Sequence, residues 1–137
     1  MKSVFHLAFN VKDLGEARNF YGKLLGCQEG RSTESWVDFN FFNHQISLHL
    51  GEPFKVEETG IVGEHIVPMP HLGVILDMKT WMKLADKLKD LKVNFLIEPT
   101  VRFEGKAGEQ KTMFFYDPFG NPIEIKGFSD FDAIYKS

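Results

Sequence analysis

Five histidines and one cysteine are the residues of this 137-residue chain best suited to chemistry, and two of the histidines have matching surroundings. His6 lies within Val4-Phe5-His6-Leu7-Ala8-Phe9-Asn10-Val11, and His71 opens His71-Leu72-Gly73-Val74-Ile75-Leu76. Both runs alternate apolar and polar as half-buried strands do, so neighbouring side chains face opposite ways. His6 therefore faces away from Phe5, Leu7 and Phe9, and His71 away from Leu72, Val74 and Leu76. Glu124, between Ile123 and Ile125, is turned from its apolar neighbours in the same manner. Two imidazoles and one carboxylate on such faces form a donor set that leaves coordination positions open, as in non-heme Fe(II) oxygenases; Mn, Ni and Zn also suit it. Cys27 is the single cysteine, which rules out an intrachain disulfide and leaves any metal to His and carboxylates.

The elements that must carry these residues fall into two similar halves. After the first strand, Asp13 and Glu16 form a helix-capping pair, and Leu14, Ala17, Phe20, Tyr21, Leu24 and Leu25 recur at helical spacing until Gly26. Short strands are predicted at about 27–31, 35–42 and 45–50, with Asn43-His44 at a hairpin corner. Residues 51–70, with several Gly and Pro and no clear period, read as a linker. The order then restarts: the His71 strand, a helix marked by Trp81, Leu84, Ala85, Leu88 and Leu91, and strands at about 94–98, 111–116 and 122–126, with Asp117-Pro118-Phe119-Gly120-Asn121 turning into the last. Phe5-His6-Leu7-Ala8 superposes on Pro70-His71-Leu72-Gly73, and Asn43-His44-Gln45-Ile46-Ser47 on Gly120-Asn121-Pro122-Ile123-Glu124. The second half is longer by about twelve residues, assigned to a loop over 99–110. The expected organisation is one domain: a βαβββ module over about 1–51, a linker over 52–69, a second module over about 70–128 and a tail over 129–137.

Composition narrows the partners. Sixteen basic residues against nineteen acidic, with no Lys or Arg run, argue against a nucleic-acid or anionic-membrane surface and favour a small molecule. No apolar stretch approaches the ~18 residues of a membrane span, and the N-terminus turns acidic too early for a secretory signal, so the expected location is cytoplasmic. Fourteen Phe exceed what a core of this size needs, which suggests that some line a pocket; Phe128 and Phe131 in the tail can close such a site or an oligomer interface. Arg102, Lys106 and Gln110, in the long loop, are candidates for holding a substrate carboxylate. His44 and His65 have no evident partner. There is no nucleophile elbow, phosphate-binding glycine loop or dinucleotide fingerprint.

Two βαβββ units, a His on the first strand of each, the helix Ala17-Arg18-Asn19-Phe20-Tyr21 running to Leu24-Leu25-Gly26, and the closing Asp117-Pro118-Phe119-Gly120-Asn121-Pro122-Ile123-Glu124 together resemble the vicinal oxygen chelate superfamily. That superfamily includes glyoxalase I, extradiol dioxygenases, methylmalonyl-CoA epimerase and the fosfomycin- and bleomycin-resistance proteins. The resemblance implies an α+β fold in which two βαβββ modules pair into an open eight-stranded cup with helices outside. It also implies a divalent metal on the concave face, held by His6, His71 and Glu124, with Fe(II) the first choice, and a homodimer. Ser47 is equivalent to Glu124 in the first module and is a poor ligand, so a three-ligand site of the extradiol-dioxygenase kind is expected, acting on an oxygenated aromatic or enolic molecule. His49, two residues on and on the same face, is either the base that deprotonates that molecule or, after a one-pair slip of the hairpin, a fourth ligand in a glyoxalase-like lyase or isomerase. Two departures from the extradiol signature stand out: Phe114 occupies the position of its Tyr, and Lys106-Ala107-Gly108 that of its upstream His. Tyr116, on the same face as Phe114, can replace the phenol, and Phe114 and Lys126 are assigned to the substrate wall. A binding protein that keeps the fold without catalysis is the third alternative.

Overall fold

The computed structural model describes residues 1–136 and resolves into two compact units. The first comprises Met1–Lys55 with the turn Asp117–Asn121; the second comprises Val56–Tyr116 and the chain from Pro122 onward.

In the first unit β1 (His6–Val11) leads into α1 (Leu14–Ala17), which continues as π-helical turns over Arg18–Leu24. The Asp13 carboxylate accepts the Glu16 N–H at 2.8 Å, satisfying a donor that the first helical turn would otherwise leave open. The wider turns are visible in the bond from Leu25 N–H to the Phe20 carbonyl, a five-residue step. Then come β2 (Gln28–Ser32), β3 (Trp36–Phe41) and β4 (His44–Leu50). The sheet order is β1-β4-β3-β2, with β1 parallel to β4 and the other pairs antiparallel. Phe9, Val11, Val37, Phe39, Ile46 and Leu48 from one sheet face pack with Ala17, Phe20, Tyr21 and Leu25 of the helix as buried core.

The second unit repeats this plan. β7 (Leu72–Asp77), α2 (Met78–Asp90), β8 (Phe95–Arg102), β9 (Gln110–Tyr116) and β10 (Pro122–Phe128) form a sheet ordered β7-β10-β9-β8, again with the first strand parallel to the last. Asp77 caps α2 through Thr80 N–H at 2.9 Å, and the apolar face of that helix (Trp81, Leu84, Ala85, Leu88) is buried. The Trp81 indole N–H donates to the Ile125 carbonyl at 2.9 Å, which fixes the helix over β10, and a Cβ on Gly127 would collide with the Trp81 ring.

The α+β class and the internal duplication match the sequence reading, and two expectations are corrected. The stretch read as a linker carries a hairpin, β5 (Glu57–Val62) and β6 (His65–Met69), giving ten strands among the described residues. Its alternation is masked because the facing pair Ile61 and Ile66 is exposed, while the adjacent Val67 and Pro68 are buried, with Val62 packed partly against the cluster of Val67, Phe114 and Ile97. Second, β8 runs on to Arg102, so the long loop shrinks to 103–109 and Arg102 pairs with Gln110 across the ladder. Of the fourteen phenylalanines, half are buried: Phe9, Phe20, Phe39, Phe41, Phe114, Phe115 and Phe128. Phe131, by contrast, is half exposed on a 3-10 turn. No helix among the described residues is long and apolar enough to cross a membrane.

The turn Asp117–Asn121 is held by one carboxylate. Asp117 accepts from Phe119 N–H and Asn121 N–H at 2.9 Å, from the Asn121 amide at 2.8 Å and from the buried Tyr21 hydroxyl at 2.7 Å. Burial, then the Asp117 charge and hydrogen bond, push the Tyr21 phenol well above its ordinary value of 10.0. Tyr21→Phe should therefore destabilise the fold by ~1.5–3 kcal/mol, the usual worth of a hydrogen bond to a charged group. Because the folded-state value is the higher one, the stabilisation is complete below the unfolded phenol's pKa and is lost as pH rises toward the raised value. Urea denaturation at neutral pH and above pH 10.0 checks this: the wild type loses stability over that interval, and the Phe variant lacks this contribution.

Candidate metal centre

Each unit carries an imidazole whose Nδ1 is committed to a fixed acceptor. In the second unit His71, just before β7, has Nδ1 2.8 Å from the Pro68 carbonyl oxygen. A carbonyl only accepts, so Nδ1 carries the proton and donates, and Nε2 is the nitrogen left to face Glu124. In the first unit the same result is reached through a relay. The Asp38 carboxylate, buried on β3, accepts from the Gln45 amide nitrogen at 3.3 Å, which turns the Gln45 amide oxygen toward His6 Nδ1 at 2.8 Å. His6 Nδ1 is then the donor, and Nε2 is its other ring nitrogen, turned away from that bond. This arrangement, with an outer acceptor fixing tautomer and ring direction, is typical of metal-ligating histidines.

His71 Nε2 lies 3.4 Å from Glu124 Oε1. Two donors at about 2.0–2.1 Å from a shared ion in tetrahedral or octahedral geometry stand about 2.8–3.4 Å apart, so the pair is at the wide end of what suits a common divalent cation. The second Glu124 oxygen accepts the Thr112 hydroxyl at 2.6 Å and lies 3.6 Å from Arg102 Nη1. Burial pushes the Glu124 carboxyl upward, but the hydrogen bonds from His71 and Thr112 and the charges of Lys126 and Arg102 outweigh it and hold the group below its ordinary value. The Glu124 hydrogen bond raises the His71 imidazole against the opposing effect of burial. Phe114, fully buried, packs edge-on against the His71 ring at 4.9 Å and keeps it in this direction. Gly73 is opposite Glu124 in the parallel β7–β10 register, and any Cβ there would overlap the Glu124 carbonyl oxygen; glycine is what lets the strand bearing the carboxylate come this close.

The structure thus brings His71, Glu124, Phe114, Arg102 and the charge of Lys126 together within the second unit, while His6 belongs to the first. Among the described residues no group of three His, Cys, Asp or Glu side chains is gathered into metal-holding geometry. Ser47 donates its hydroxyl to Asp38 at 2.5 Å. His49 is exposed and stacks on Trp36, its ladder partner, with ring centroids 6.2 Å apart. Tyr116 is half-buried; burial and the nearby Glu58 charge hold its phenol above the ordinary value, so at neutral pH it is a donor. Lys106 is exposed.

Asp38, Gln45, Thr112 and the Pro68 carbonyl were not singled out from sequence. Asp38 had a signal: on β3 it alternates with Val37 and Phe39, a charged side chain on the face opposite the core. The two sheets repeat one polar theme. Ser47, Asp38 and Arg31 lie across β4, β3 and β2, with Arg31 Nη2 3.9 Å from Asp38, while Glu124, Thr112 and Arg102 lie across β10, β9 and β8.

This duplicated βαβββ fold, with a histidine at the first strand of each unit and a buried carboxylate on the last strand, is that of the vicinal oxygen chelate proteins. Residues 3–125 match the glyoxalase/bleomycin resistance protein/dioxygenase superfamily, and the chain belongs to it. It is similar to a glyoxalase/bleomycin resistance protein/dioxygenase from Alicyclobacillus acidocaldarius, at 31% identity and TM-score 0.79 over 98% of this chain and 97% of that one. An integron cassette protein from V. cholerae is 25% identical, with TM-score 0.64 over 94% of this chain and 97% of the other. A fosfomycin resistance protein from Listeria monocytogenes shares the fold at 16% identity and TM-score 0.69 over 98% of each chain.

Proposed function

We propose that this protein is a cytoplasmic, homodimeric, metal-dependent enzyme nearest the extradiol dioxygenases, acting on a small oxygenated aromatic or enolic substrate. His6, His71 and Glu124 hold one divalent ion in this reading, Fe(II) first, with Mn, Ni or Zn as substitutes. The observation that carries it is the pair of committed imidazoles: each donates through Nδ1 to an acceptor and so is turned with Nε2 outward from that bond, and Nε2 of His71 faces a carboxylate. When bound, the ion supplies Lewis acidity and the redox chemistry that dioxygen requires. The chain does the rest. His49 Nε2 or Nδ1 takes the proton of the substrate hydroxyl, and the Tyr116 phenol donates to a substrate oxygen. Phe114 and Thr112 hold the His71 ring and the Glu124 carboxylate in place, and Lys126 adds a positive charge beside them. The engagement of Ser47 by Asp38 favours three ligands over four in this reading, because the serine hydroxyl is already spent on a buried carboxylate.

Metal analysis of protein purified anaerobically, followed by assays with a catechol and with a hemithioacetal, tests the proposal. The expected result is bound metal and dioxygen uptake with the catechol. Turnover of the hemithioacetal without dioxygen would point to the lyase chemistry, and tight ligand binding with no turnover to a sequestering role.

A further inference from the structure

Arg102 is a buried guanidinium with an unused edge. Its side chain is 9% exposed, and Nη1 lies 3.6 Å from Glu124 Oε2, whereas Nε and Nη2 are buried without any hydrogen-bond partner. Glu124 does not reach them: one of its oxygens faces His71, and the other accepts from Thr112 and lies toward Nη1. Nε and Nη2 carry the two parallel N–H bonds of the side-on edge, the edge that grips a carboxylate with two hydrogen bonds. A guanidinium does not shed its charge, so burial with that edge empty is costly unless something fills it. Gln110 is directly opposite Arg102 in the β8–β9 ladder and equally buried; its amide nitrogen donates to the Gly108 carbonyl at 3.3 Å, and its Oε1 is a second buried atom without a partner. Directly opposed residues share a sheet face, which here is the face of Thr112 and Glu124.

We infer that Arg102 and Gln110 form a carboxylate-binding subsite beside Glu124, with the carboxylate on Nε and Nη2 of Arg102 and a hydroxyl of the same molecule donating to Gln110 Oε1. The substrate class is then a hydroxylated carboxylic acid rather than a neutral diol; treating that anion as the substrate rests on the metal-centre reading above, while the subsite itself does not. Arg102–Gln110 is the last pair of its ladder, joined by the exposed turn 103–109, so fraying of this end admits the ligand. Once Glu124 shares its charge with a cation, the anion is also what balances Arg102.

The test is a titration of the protein, as purified and after chelation, with acetate, followed through the Arg102 Nε–H resonance. The expected result is a saturable shift of that signal, with acetate affinity at least tenfold weaker in Arg102→Lys, whose ammonium has no fork, and unchanged metal content in that variant. A signal that does not move with acetate, or equal affinity in Arg102→Lys, overturns the subsite. The wild-type titration needs no variant to fold. If His71→Ala loses metal yet keeps the acetate response, the subsite stands as inferred. If the acetate response fails while metal is bound normally, the subsite falls and the metal centre does not.

Discussion

His49→Ala is expected to keep its metal and to lose ~10²–10⁴-fold in turnover, the range for removal of a general base. The expectation rests on where the side chain lies. His49 is near the end of β4, exposed and stacked against Trp36, so its ring is braced on one side and open to a ligand on the other. In the lyase alternative the same residue would be a fourth ligand, and its loss would weaken metal binding directly. Metal titration of the variant alongside steady-state kinetics separates the two: unchanged affinity with a depressed kcat supports the base, and a large fall in affinity supports the ligand. Trp36→Leu is a useful companion, because it removes the brace and leaves the imidazole.

Glu124→Gln is expected to abolish metal retention and with it all turnover. The substitution preserves shape and can still accept from Thr112, so the sheet should remain folded. What it removes is the negative charge that faces both His71 Nε2 and Arg102 Nη1. With a neutral amide in that place the site keeps an imidazole and a buried guanidinium, a combination that repels a cation. Circular dichroism should therefore match the wild type while metal content falls to background. A Gln variant that retains metal would mean that Glu124 is only the counter-ion of Arg102.

The strand parity of His6 and Glu124 was legible because a two-residue period needs only a few neighbours to establish it, and the same holds for the duplication, which rests on matched strings at both ends of the modules. His71 was legible as a candidate site residue although it sits just outside β7, because the superposition on His6 fixes it independently of strand bounds. The surroundings were harder. Gln45 is far from His6 in sequence, and its role depends on Asp38 turning its amide, a chain of three side chains from three strands. Pro68 acts through a backbone carbonyl, which no residue type announces. The β5–β6 hairpin was hidden by two exposed isoleucines, and Arg102 was placed in a loop because the extra residues of the second half were assigned to 99–110, as though the strand had ended before them. It had not, and the extra rungs carry Arg102 from a loop into a buried face.

The proposal that His6, His71 and Glu124 share one ion is tested most directly by the metal content of His6→Ala. His6 belongs to the first unit, whereas the His71–Glu124 pair is complete within the second. His6→Ala, with its fold intact by circular dichroism, is expected to lose most of the metal bound by the wild type, as is His71→Ala. Full retention of metal in His6→Ala, with loss in His71→Ala, would contradict it and confine the metal to the second unit.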